Sequence, residues 1–236
     1  VILALVVSLV IITLLGKSPV DALIALLTGS FGGRVQLART ISYLLPLSAV
    51  ALAWIVSFRT GRINIGFQGQ IIVGGIAGTI VGIYVSLPAV IHITLALVAG
   101  ALAGMFYAWI AGYLWAKRNV NEIISTLMLN LIALELITWL IRGPLQESRA
   151  YARTAKLMDS SRWPTIISYS ALTWDIILLP IFVFAVWFML NRTTLGMAMR
   201  LTGANPNSAF RAGLQTSRVT VGAFLIGGAI SGVTGS

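Results

Sequence analysis

Residues Val90 to Ala116 read VIHITLALVAGALAGMFYAWIAGYLWA, 27 positions without an aspartate, glutamate, lysine or arginine. At about 1.5 Å per residue such a run reaches roughly 40 Å as a helix, enough to cross a hydrocarbon core of about 30 Å. Six more apolar segments share its character: Val1 to Gly16, Leu37 to Phe58, Ile71 to Leu87, Ile123 to Ile141, Ala171 to Leu190, and Thr220 to the end. A transmembrane barrel would need short alternating strands instead. The pattern predicts an all-α membrane protein, a polytopic bundle of about seven transmembrane segments.

Composition agrees. The chain is 58% hydrophobic and only 9% charged, where a water-soluble domain carries about 25% charge. It has no cysteine and one histidine. His92 opens an apolar helix and reads as an interfacial residue. The carboxylates are scattered, and the hydrolase spacings G-x-S-x-G and H-E-x-x-H are absent, so no catalytic residue and no metal site is expected and the chain is not read as an enzyme. Gly16-Lys17-Ser18 ends like a phosphate-binding loop, but Ile11 replaces the required upstream glycine. The net charge of +10 would suit phosphate neutralisation. Here, however, the basic residues sit at helix ends, where they anchor to anionic lipid, and nucleic acid is not an expected partner.

The chain opens at Val1 without an initiator methionine and stops at Ser236 inside an apolar run, which predicts a single transmembrane domain clipped at both ends. The first segment lacks a charged leader and reads as a spanning helix, not a signal peptide. An alternating topology divides the 16 basic residues evenly between the two sides. One side carries Arg59, Arg62, Lys117, Arg118, Arg192, Arg200, Arg211 and Arg218 with only Glu122 near them, and is read as cytoplasmic.

Small residues recur at every fourth position: Gly74, Gly78 and Gly82; Gly100, Gly104, Ala108 and Gly112; Gly228 and Gly232. That spacing lays a smooth ridge on a helix face and predicts close helix packing in lipid. Pro46 and Pro180 lie inside apolar runs and predict kinks. Between two helices, Arg59 to Gln70 reads RTGRINIGFQGQ, with Asn64, Gln68 and Gln70. Two explanations fit: irregular backbone buried within the protein or lining a cavity, or a tight turn whose amides satisfy free helix ends. Asn119 to Asn130 reads NVNEIISTLMLN, with Asn119 as an N-cap and Glu122 completing a capping box. Glu135 lies within an apolar run, where a carboxylate faces either a pathway or a structural partner such as Arg142.

Asn191 to Val219, NRTTLGMAMRLTGANPNSAFRAGLQTSRV, is a polar island with four arginines and no acid. Asn205-Pro206 starts a helix and Gly213 can stop it, enclosing Ala209, Phe210 and Arg211. A short preformed helix of this kind suits a soluble motor pushing on it. An amphipathic helix on lipid headgroups would need a wider apolar face.

LGMAMRLTGANPNSAFRAGL resembles the cytoplasmic coupling loop of permease subunits from bacterial ATP-binding-cassette importers, and INIGFQGQ with VNEIISTLMLN resembles the nucleoside and simple-sugar branch of the branched-chain amino acid type permease family. Where that family usually has Asn-Ile-Gly-x-Glu-Gly, Gln68 stands at the glutamate position. The resemblance implies a multi-pass permease of a bacterial or archaeal cytoplasmic membrane, paired with a second permease subunit, two cytoplasmic ATP-binding subunits using ATP and magnesium, and an extracytoplasmic solute-binding protein. It implies a coupling loop over 191–219, with Gly203, Asn205, Pro206, Ala209, Phe210, Arg211 and Gly213 meeting the ATPase and Phe210 as the knob. The loop from Arg142 to Ser170 would then face outward. Asn64, Gln68, Asn130 and Glu135 are candidate path-lining residues, because polar side chains within a bilayer need a reason to be there. The expected solute is a nucleoside, purine first, or a simple sugar. Branched-chain amino acids remain an alternative within the class, and an ion-driven carrier with Glu135 as proton site an alternative outside it.

Overall fold

The computed structural model describes residues 2–148, 151–167 and 170–236; residues 149, 150, 168 and 169 of the expected outward loop lie outside the described residues. The chain runs through α1 (Ile2–Leu14), α2 (Pro19–Phe31), α3 (Arg34–Ser42), α4 (Leu44–Phe58), α5 (Phe67–Tyr84), α6 (Ala89–Arg118) and α7 (Glu122–Arg142). An antiparallel hairpin of β1 (Gln146–Ser148) and β2 (Tyr151–Thr154) follows. Then come α8 (Leu178–Arg192), α9 (Thr194–Ala204), α10 (Pro206–Arg211) and α11 (Thr216–Gly235).

Among the described residues, 6 helical stretches are long and apolar enough to cross a membrane: Arg34–Phe58, Phe67–Tyr84, Ala89–Arg118, Glu122–Arg142, Trp174–Arg192 and Thr216–Gly235. The all-α polytopic expectation holds. The first apolar segment falls short of it, because the 13 residues of α1 reach only about 20 Å.

The chain divides into two compact units, Val1–Leu44 with Pro164–Ile176, and Leu45–Trp163 with Ile177–Ser236. In the first, α2 is a helix the hydropathy pattern does not single out, since Asp21 and Gly29 interrupt its run. Its start is chemical: the Ser18 hydroxyl accepts the Asp21 N–H at 3.2 Å and Pro19 takes the first helical position. The Thr40 hydroxyl donates to the Ser30 carbonyl at 2.9 Å and ties α3 to α2.

The second unit is organised around α11, which packs on both α5 and α6. At this crossing the backbones touch: a Cβ added at Gly104 would collide with the Gly228 carbonyl, and one added at Gly232 with the Gly100 carbonyl. The predicted ridges therefore serve packing, as helices in lipid require. A further core joins Ala49, Ala53 and Val56 of α4 to Phe67, Val186, Leu190, Met199, Ala223 and Ile230.

The two prolines act differently. Pro46 has no N–H for the carbonyl four residues back, and the helix is interrupted at Tyr43, between α3 and α4. Pro180 lies in the first turn of α8, where no such bond is needed, so the kink expected there is replaced by a helix start.

Two further expectations are corrected. Asn119 does not cap α7; it ends α6 in the left-handed region at φ 53°, which asparagine tolerates, and Asn121 caps α7 by accepting the Ile123 N–H at 2.9 Å. His92 is not interfacial but fully buried. Its Nε2–H donates to the Val81 carbonyl at 3.1 Å, and its Nδ1 accepts from the Ser160 hydroxyl at 2.8 Å. A carbonyl can only accept, which sets that tautomer. With Met158 N–H donating to the Gly82 carbonyl at 3.0 Å, the segment Met158–Ser161 is pinned over the end of α5 and the start of α6.

The α6–α11 contact predicts a sharp difference between two glycines of one helix. Gly232→Ala should lower Tm in detergent by on the order of 5 °C through overpacking. Gly222→Ala, where a Cβ meets nothing within 4 Å, should leave Tm unchanged. Differential scanning fluorimetry of the full-length protein checks both.

Candidate functional site

The polar stretch after α4 opens with a tight turn, in which Thr60 N–H donates to the Ser57 carbonyl at 3.1 Å and Gly61 N–H to the Phe58 carbonyl at 2.9 Å. Gly61 has φ 75°. Asn64, fully buried, then accepts the Gly66 N–H on Oδ1 at 2.8 Å and starts α5. The chain between them has no helix to satisfy it, so α7 does. Thr126 Oγ1 accepts the Ile65 N–H at 3.3 Å, while Asn130 Nδ2 donates to the Ile65 carbonyl at 2.9 Å and Asn130 Oδ1 accepts the Gly69 N–H at 2.8 Å. The N–H and the C=O of one residue, Ile65, are thus satisfied by two side chains one helical turn apart. Tyr107 of α6 donates to the Leu129 carbonyl at 2.6 Å beside them.

Asn64, Gly66, Phe67, Gly69 and Gln70 are buried while Arg59, Gly61, Ile65 and Gln68 are exposed, so the stretch joins a tight turn to a buried segment and each of the two explanations open from sequence describes part of it. Glu122, expected to close a capping box, instead pairs with Arg62 at 3.4 Å, and the Arg62 guanidinium lies 4.6 Å from the centroid of the Trp115 ring. Buried beside Asn64, Gln70 donates to it at 3.5 Å. Among the described residues, Asn64 Nδ2 and Gln70 Oε1 have no hydrogen-bond partner.

Of the four candidate path residues, Asn64 and Asn130 meet at this loop. Gln68 lies in the first turn of α5 and is exposed between buried Phe67 and Gly69. Glu135 is also exposed, in a shallow crevice with Leu131, Ile132, Leu136 and Trp139. Five residues at 3.6 per turn rotate it about 140° from Asn130, so the two cannot share a face of α7. Among the described residues Glu135 forms no ion pair, and the pairing with Arg142 that the spacing allowed is not made. Thr126 and Tyr107 were not anticipated, and Gln70, singled out in the stretch, was not among the path candidates. The repeat Glu122, Thr126, Asn130 at intervals of four marks a polar stripe on an apolar helix and was the available signal for the first.

The second element is the basic island, which folds into α9 and α10. Asn205 Oδ1 accepts from Asn207 N–H at 3.1 Å and Ser208 N–H at 3.0 Å, with Pro206 at the first helical position. The end is closed by Gly213 at φ 87° and by Leu214 N–H donating to the Ala209 carbonyl at 3.0 Å. Ala209 is buried and Phe210 is 70% exposed, with Arg211 also exposed. Gly203, at the end of α9, lies against the turn before Asn64: a Cβ there would collide with the Arg59 carbonyl and come within 3.1 Å of Gly61 N. Island and polar loop are in backbone contact.

A family of transport proteins, the branched-chain amino acid transport system permease component, matches residues 36–236. The chain belongs to that family. The permease is 34% identical to the guanosine ABC transporter permease protein of Bacillus subtilis, over 100% of this chain and 69% of that protein. It is 33% identical to the glucose ABC transporter permease protein of Haloferax volcanii, over 98% of this chain and 64% of the relative. Identity to the nucleoside ABC transporter permease protein of Lactococcus lactis is 26%, over 93% and 63%. The permease thus spans about two thirds of the length of these relatives. No solved structure matches it. Family membership with 6 apolar spans makes it a multi-pass inner-membrane protein of the transport class.

Removing the Asn130 amide would strand the Ile65 carbonyl and the Gly69 N–H in the interior. Asn130→Ala should cost about 2–4 kcal/mol of stability, whereas Glu135→Gln should change it by less than about 0.5 kcal/mol. Denaturant unfolding followed by tryptophan fluorescence distinguishes them, and equal effects would refute the clamp.

Proposed function

We propose that the permease forms the membrane path of an importer that moves a nucleoside, a purine nucleoside first, or a simple sugar into the cytoplasm, using ATP hydrolysed with magnesium on partner subunits. The observation that carries this reading is the backbone contact of Gly203 with Arg59 and Gly61. It joins a short capped helix with one projecting aromatic residue to a buried polar loop. Relatives named for guanosine, nucleoside and glucose transport support the solute class. The family description keeps branched-chain amino acids as a second solute class.

In this mechanism the basic island lies in the cytoplasm and two ATP-binding subunits grip the permease pair, one α10 each. Phe210 seats in a groove of the ATPase, with Arg211 beside it. Nucleotide-driven closure moves α10, and Gly203 passes the displacement to the turn at Arg59–Gly61 and so to Asn64. The permease supplies no nucleotide site of its own. Asn64, Gln68, Asn130 and Glu135 remain the proposed path residues, with distinct tasks. Asn130 holds the loop in register, and the buried, unpartnered amide groups of Asn64 and Gln70 become available to a hydroxyl-rich solute or its water when the loop moves. Glu135 stands on an exposed apolar face, where a charge against lipid costs about 2.5–3.5 kcal/mol, so a second permease subunit covers that face. A solute-binding protein docks on the opposite side, over the loop 142–170.

Uptake in proteoliposomes carrying the full-length permease and its partners tests this. Guanosine or ribose should enter only with ATP and stop with vanadate; uptake that persists without ATP and collapses with an uncoupler would overturn it. Phe210→Ser should lower uptake at least about tenfold, a loss of roughly 1.4 kcal/mol in coupling, while assembly and ATP binding persist. Gly203→Val should do the same with Phe210 intact, and undiminished uptake in Gly203→Val would remove the contact from the mechanism.

A further inference from the structure

The last turns of α6, the α10 residue Phe210 and the first turns of α11 enclose a cavity of about 460 Å³. Lys117 and Arg218 line it from the two helix ends, and among the described residues neither is ion-paired and no acidic side chain joins them. The cavity runs on between Trp109, Tyr113, Val221 and Leu225. Trp109 precedes Lys117 by eight residues and Leu225 follows Arg218 by seven, so the apolar walls extend about 10–12 Å along both helices into the span. Gln215 makes no side-chain cap on α11, and among the described residues no side chain caps the first-turn N–H groups of Ser217 and Arg218. A cationic mouth on an apolar trough, with an indole and a phenol at the boundary, matches one class of molecule that is always present at that depth.

We propose that this groove binds an anionic phospholipid, with the phosphate held by Lys117, Arg218 and the first-turn amides of α11, and an acyl chain lying along Trp109, Val221 and Leu225. The site is separate from the polar loop and does not depend on which solute is moved. Because Phe210 lines the same cavity, the lipid braces α10 from the membrane side.

The test uses the full-length permease in phosphatidylcholine nanodiscs doped with photoreactive phosphatidylglycerol, with the labelled peptides identified by mass spectrometry. Labelling should fall on the end of α6 and the start of α11. It should drop about fivefold in Lys117→Gln and about 25-fold in Lys117→Gln with Arg218→Gln, since each charge near an anionic surface is worth about 1 kcal/mol. Arg218→Lys keeps the charge and should restore most of the labelling, which separates lost binding from lost folding. Arg142→Gln, at the far end of α7, should label as the parent does. Undiminished labelling in the double variant, or equal labelling by a photoreactive phosphatidylcholine, would overturn the proposal. So would labelling that disappears when the partner ATPases are added, because the groove would then be a protein interface.

Discussion

Backbone contact between α11 and its neighbours α5 and α6 is the constraint from which the rest of the second unit follows. Lipid gives helices no hydrophobic reason to associate, so they hold by van der Waals contact over surfaces smooth enough to meet. Gly104 and Gly232 supply that smoothness where the Gly228 and Gly100 carbonyls approach. The buried polar residues of α11 are small hydroxyls, Thr220 and Ser231. Among the described residues, the buried amides gather at one end of the bundle: Asn64 in the loop between α4 and α5, Gln70 near the start of α5, and Asn130 on α7.

That gathering serves the loop. A chain leaving α4 must satisfy the peptide groups of its buried residues from within the protein. The sequence RINIG cannot do so by itself, because Asn64 reaches only the Gly66 N–H. Thr126 and Asn130 satisfy Ile65 from outside. Irregular backbone therefore survives only in register with α7, and any shift of α7 along its axis breaks three hydrogen bonds together, two to Ile65 and one to Gly69. The Arg62–Glu122 pair over Trp115 fixes the same register from the helix start.

Fold class, most spans and α10 were legible because their signals are local: hydropathy runs, a cap followed by proline, a glycine where φ turns positive. The missed elements have mixed local signals or partners distant in sequence. α2 is broken by Asp21 and Gly29, and Asn121 gains the cap only because Asn119 is used to finish α6. His92 reads as interfacial until Ser160, 68 residues away, is placed over it. Asn130 and Glu135 look alike in sequence, two polar residues in one apolar helix. Helical rotation alone sends one inward to the loop and the other outward.

A helix as short as α10 is unstable by itself, since isolated helices below about 12–15 residues are marginal in water. Its 6 residues hold shape because both ends are closed chemically, by the Asn205 side chain and by the Gly213 turn, and because Ala209 is set into the bundle. Each device removes a way of yielding. Displacement applied at Phe210 therefore cannot be absorbed by fraying, nor at the next junction, where Gly203 and Arg59 meet backbone to backbone without a flexible side chain between them. Stiffness, which the propensity of so short a segment could never supply, comes from its caps and from one glycine contact, and it is what the proposed coupling role requires of this part of the chain.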